Sequence, residues 1–180
     1  KVGDLVRTRR ELLHARQHRR IVGEELRVVR PDHAAARSRR RHHIVEALEA
    51  FYTNTVKPFI DDKFRTRPGR EDTGIMGASL GALSSQYAMY EYPDVFSKAG
   101  LFSPSYDFSD EVYPFVAARH LPAGTRLYLV IGGKEGREPL FNVANVWKMV
   151  AQLQAGGEPD VALYSAVRAG AEHNETFWKS

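Results

Sequence analysis

Gly74-Ile75-Met76-Gly77-Ala78-Ser79-Leu80-Gly81 is the stretch on which the reading of this 180-residue chain turns. A short apolar run leads into a Gly-x-Ser-x-Gly, after which Leu80, Leu83, Tyr87 and Tyr90 recur at helical spacing until Pro93. Strand, sharp turn, helix is the context in which that pattern carries chemistry. A serine on so sharp a turn adopts strained backbone angles. The glycines two residues to either side are expected because neighbouring strand and helix approach too closely for a side chain. The turn lifts Ser79 Oγ clear of the sheet's C-terminal edge at a helix N-terminus, with the Leu80 N–H aimed at a developing oxyanion.

Downstream, the elements alternate. Lys98 to Phe102 reads as a second strand, Asp110 to Ala118 as a helix, and Leu127 to Ile131 as the apolar run of a buried parallel strand. A helix carrying Val143, Val146, Val150 and Leu153 stops at Gly156-Gly157. Val161 to Val167 is the last strand, and Glu175 to Trp178 opens the last helix. Such alternation predicts an α/β fold with a mostly parallel sheet flanked by helices. Upstream, Ile44, Leu48, Phe51, Tyr52, Val56, Phe59 and Ile60 predict an amphipathic helix bent or ended near Pro58, followed by a turn at Arg67-Pro68-Gly69-Arg70.

Composition bounds the rest. With no cysteine there is no disulfide framework, thiolate nucleophile or cysteine-based metal site, and no cofactor is expected. No apolar run approaches the roughly 20 residues of a membrane span, so a soluble, cytoplasmic protein without a membrane partner is expected. The net charge of +4 divides into +8 up to His43 and −4 from Ile44 onward, and the first of the 19 aromatic residues is Phe51. The expected organisation is therefore an arginine-rich, atypical segment over 1–43, disordered or foreign, and a catalytic core over 44–180.

Within that first segment Glu25 to Arg30 alternates weakly, like a short strand. His14 and His18 share a helix face but lack the glutamate of a His-Glu-x-x-His site, so no metal is expected there. Clustered arginines could neutralise phosphates, yet aromatics that would stack bases are absent, which argues against nucleic acid as a specific partner. Arginine, alanine and histidine in excess also resemble a GC-rich gene read out of frame, the product of frameshift, truncation or fusion.

Two later strands deliver partners for Ser79 to the same rim, in the chain order serine, acid, histidine. Gly132-Gly133-Lys134-Glu135-Gly136 places Glu135 there, with Glu138, Asp107 and Asp110 as rival acids; Gly170-Ala171-Glu172-His173-Asn174 places His173. His120 precedes a strand and so falls at the opposite edge. Ser79 would act as nucleophile, His173 as base, and Glu135 would orient the imidazole.

The run Arg70 to Gly81, then Glu91-Tyr92-Pro93-Asp94-Val95-Phe96, Leu101-Phe102-Ser103-Pro104-Ser105, and Gly170 to Glu175 with Trp178, resembles an esterase branch of the α/β-hydrolases. Enterochelin esterases, S-formylglutathione hydrolases and feruloyl esterases belong to that branch. The likeness covers about 51–180. It implies a serine carboxylesterase that takes small-molecule esters through an acyl-enzyme on Ser79; the small size and the lack of an obvious lid lead to the expectation of short-chain esters. The family's first strands, and the loop that supplies a second oxyanion N–H, have no visible counterpart in Lys1 to Ala50; Ala82 stands where a second glycine is frequent. One missing donor costs on the order of 10² to 10³ in rate. The alternative is therefore a catalytically impaired hydrolase fold whose basic arm binds nucleic acid nonspecifically. If no earlier strand pairs with Gly74 to Met76, an open edge remains, and a homo-oligomer through that edge is expected. Tyr106, Phe108 and Trp147 are expected to line the acyl and alcohol pockets.

Overall fold

A computed structural model describes residues 46–180 except 158 and 159. The arginine-rich segment, its weak strand at Glu25 to Arg30 and the His14/His18 pair lie outside the described residues. Four parallel strands, β1 (Gly74–Ala78), β2 (Lys98–Phe102), β3 (Arg126–Gly132) and β4 (Ala162–Arg168), form one sheet in the order β1-β2-β3-β4. Registers follow chain order, with Ala78 beside Phe102, Phe102 beside Val130 and Gly132 beside Arg168. Every strand therefore ends at one rim, and the loop after each strand opens on the same edge. Among the described residues β1 has no second neighbour.

The first described helix does not end at Pro58. Helix over 46–51 passes into a π turn at Tyr52–Val56, closed by the bond from Lys57 N–H to Tyr52 O, and continues as α1 (Lys57–Lys63) through the proline. A proline ring has no N–H to give and crowds the carbonyl four residues back; the wider turn just before Pro58 absorbs both effects, so the helix neither ends nor breaks there.

α2 (Leu80–Glu91) follows β1 directly and is buried from Ala82 through Tyr90. Three further helices, α3 (Val112–Ala117), α4 (Pro139–Ala155) and α5 (Glu175–Trp178), complete the alternation. Leu83, Tyr87 and Ala88 of α2, Val112 and Val116 of α3, and Val146, Met149 and Val150 of α4 join Ala99, Leu101, Leu127, Leu129 and Ile131 in one core. The strand residues alternate by two, which assigns this core to a single face of the sheet. The other face carries Met76, Tyr128 and Tyr164 exposed; the register partners Tyr128 and Tyr164 stack with centroids 4.7 Å apart. No described helix is long and apolar enough to cross a membrane.

Candidate active site

The turn at Ser79 has the strain anticipated for it. Ser79 has φ 59° and ψ −122°, a region nearly closed to residues with a side chain, and caps α2 at its N-terminus. Its N–H bonds Phe102 O at 2.9 Å, and its carbonyl accepts from Ala82 and Leu83. These bonds fix the turn against β2 on one side and start the helix on the other. A Cβ on Gly77 would lie 2.5 Å from the carbonyl carbon and oxygen of Gly81, so glycine is obligatory at Gly77. At Gly81 the expectation of crowding fails, because a Cβ there meets nothing within 4 Å. The close approach is of Gly81's backbone to Gly77's α-carbon, and only the residue whose side chain would point into that gap must lack one.

Glu135 is 2% exposed, and its carboxylate is fully engaged. Oε1 accepts from Ser103 Oγ at 2.5 Å and from Gly132 N–H at 2.6 Å, while Oε2 meets His173 Nδ1 at 2.8 Å. A carboxylate out of water costs several kcal/mol unless donors replace its hydration, and three donors do so here. The rivals do not compete for the imidazole: Glu138, Asp107 and Asp110 are all exposed, and Glu138 stands at the N-cap position of α4.

The loops carrying Glu135 and His173 interlock. A Cβ on Gly132 would fall 2.4 Å from Ala171 O and one on Gly133 2.8 Å from Ala169 O, while Lys134 N–H bonds Ala171 O at 3.0 Å. The glycines after β3 thus let the loop after β4 come close enough to present its histidine.

Ser79 Oγ pairs with Ser105 Oγ at 3.1 Å, rather than with the imidazole. Ser105 and His173 both line a pocket of about 240 Å³, together with Asp107, Glu135 and Asn145. Leu80, the first residue of α2, borders a larger cavity of about 900 Å³ with Ser84, Met76 and Phe108. Of the residues expected to line a substrate pocket, Tyr106 lies on the smaller cavity and Phe108 on the larger. Trp147 lies on neither and is 46% exposed on α4. Burial pushes the Tyr106 phenol well above its usual range, aided by Tyr113 and Tyr90, so it stays protonated.

Three contacts were not anticipated. Trp178 Nε1–H donates to Ser103 Oγ at 2.8 Å, and the Trp178 ring meets that of His173 edge to face, with centroids 4.9 Å apart. Ser105 is the third partner. Its position, like that of Ser103, follows from the rule that placed Glu135 and His173: Ser103-Pro104-Ser105 leaves β2 at the same rim.

Several known proteins share this arrangement of strands and helices. The enterobactin esterase FES of Shigella flexneri superposes with a TM-score of 0.62 at 18% identity, covering 77% of this chain and 37% of that one. The S-formylglutathione hydrolase FrmB of Staphylococcus aureus gives 0.52 at 16% identity, covering 77% and 60%. In sequence, the "Uncharacterized protein YbbA" of Bacillus subtilis (strain 168) is 28% identical over 130 residues, 70% of this chain. The chain spans about half, 52%, of that relative's length. The family pattern itself extends upstream of the motifs, starting before Phe51: residues 25–179 match the model of the "Putative esterase" family, to which this chain belongs.

Proposed function

We propose that the chain is a serine carboxylesterase acting on short-chain esters, with Ser79 as nucleophile, His173 as general base, Glu135 as the acid that orients it, and the Leu80 N–H as an oxyanion donor. The observation that carries this reading is the buried, triply hydrogen-bonded Glu135 on His173 Nδ1, at the rim where Ser79 stands on its strained turn. Family membership and the esterase names of its structural relatives support it.

Turning Ser79 Oγ from Ser105 toward the imidazole gives His173 Nε2 its proton as Oγ adds to the ester carbonyl. The new oxyanion is held at the N-terminus of α2, where first-turn N–H groups lack partners within the helix. Collapse expels the alcohol with the proton from His173; water then repeats the sequence and releases the acid. Lys1 to Ala50, in which the sequence shows no counterpart of the loop that supplies a second oxyanion donor, falls outside the described residues up to 45 and is helical from 46.

Hydrolysis of p-nitrophenyl acetate by wild type and Ser79→Ala tests the proposal. A clear rate for wild type and loss of at least about 10³-fold in the variant are expected; equal rates would remove Ser79 from the reaction.

A further inference from the structure

We propose that Ser103 and Trp178 are positioning residues that hold the Glu135–His173 pair in its working geometry, an inference that rests on the serine-esterase reading above.

The bond directions are forced by chemistry. An indole N–H can only donate, so Ser103 Oγ accepts from Trp178 Nε1 at 2.8 Å. The single hydroxyl proton of Ser103 is then left for Glu135 Oε1, 2.5 Å away. Because Gly132 N–H and Ser103 together occupy Oε1, the lone pairs of Oε2 are left to His173. The chain of contacts closes on itself: Trp178 to Ser103, Ser103 to Glu135, Glu135 to His173, and the His173 ring edge to face on Trp178.

The circuit ties together three segments far apart in the chain, the last of them joining His173 to Trp178 through the Asn174 cap of α5. Ser103 follows β2, Glu135 follows β3, His173 follows β4 and Trp178 lies in α5. Ser103 itself sits at φ 49°, is 2% exposed, and is pinned by its N–H to Val130 O at 2.7 Å. A left-handed backbone at a non-glycine residue is strained. Glycine would relieve that strain, and serine differs from it by the hydroxyl that makes these two bonds. Without them Glu135 keeps only Gly132 as a fixed donor besides the imidazole itself, and the Trp178 ring beside His173 loses the bond that anchors it.

The test compares wild type, Ser103→Gly, Trp178→Phe and the double variant. Ser103→Gly suits the local φ, and Trp178→Phe keeps a ring against His173 while deleting only the donor, so both should fold. Ser103→Gly is expected to lower kcat about tenfold, since a hydrogen bond to the charged Glu135 is lost, and Trp178→Phe about fivefold, since the bond it deletes ends on a neutral hydroxyl; KM should stay within about twofold in both because the substrate surface is unchanged. The double variant is expected to be no slower than the worse single one, because both act through the same oxygen. In proton NMR, the downfield signal of the His173 Nδ1 proton should shift or broaden in each variant. Unchanged kcat and an unchanged Nδ1 signal in both single variants would overturn the proposal. So would additive losses, or losses shared equally between kcat and KM. The NMR comparison needs no turnover, so it judges the circuit even if Ser79→Ala proves as active as wild type and the esterase reading falls.

Discussion

The hydroxyl of Ser79 lies 3.1 Å from that of Ser105, so the proposed nucleophile shares a hydrogen bond with a neighbouring hydroxyl rather than with the imidazole. A neutral hydrogen bond contributes about 1 kcal/mol net, a factor of roughly five. Ser105→Ala is therefore expected to raise the second-order rate of Ser79 labelling by a fluorophosphonate, by up to about fivefold. A rate that falls tenfold would mean that Ser105 assists the nucleophile instead.

Glu135 and Glu138 lie three residues apart in one loop, yet only Glu135 is buried on the imidazole. Glu135→Gln should keep most of the shape while losing the charge and presenting an amide to Nδ1, with kcat falling on the order of 10² to 10⁴. Glu138→Gln should stay within about twofold of wild type. Steady-state kinetics on the two variants read the difference directly.

The glycine pair around Ser79 is asymmetric. Gly77→Ala forces a methyl into Gly81's backbone and is expected to destabilise by about 2 to 3 kcal/mol. Gly81→Ala meets open space inside a helix and should stabilise by about 0.5 to 1 kcal/mol. Thermal melts of the two variants should therefore move in opposite directions.

Glu49, far from the proposed chemistry, is 1% exposed, and its Oε1 has no hydrogen-bond partner among the described residues. Burial, reinforced by Glu91 and Glu46, pushes its carboxyl up from 4.5 to about 8. Because the folded state holds this proton more tightly than the unfolded one, the contribution to stability is fully present below about pH 4.5 and is lost as pH rises toward 8. Glu49→Gln has no proton to lose. It should leave Tm unchanged near pH 4 and raise it at pH 8 by at least about 5 °C, equivalent to on the order of 2 kcal/mol in a chain of this size.

Much of the architecture was legible because its signals are local. β2 runs from Lys98 to Phe102 as its apolar pattern indicates, and α4 ends at Gly156 and Gly157, the latter at φ 61°. Ser79, Glu135 and His173 could be placed on one rim because parallel strands share an end, which is topology rather than contact. What escaped depends on side-chain direction. Spacing could not tell that Gly81 has room, that Trp147 lines neither of the two cavities, or that the Trp178 indole reaches across to a serine 75 residues earlier. The π turn ahead of Pro58 was hidden for a related reason: proline announces a disturbance of the helix, and the surrounding packing decides which form it takes.

The meshing of Gly132 and Gly133 with the backbone of Ala169 and Ala171 makes the acid and the histidine a single heritable unit. An insertion in either segment would unseat the other, so natural length variation in the two should be correlated. A protein engineer moving this machinery to another scaffold would have to lift both segments as one cassette. The serine turn, whose fit depends on the missing side chain of Gly77 against the backbone of residue 81, could travel separately.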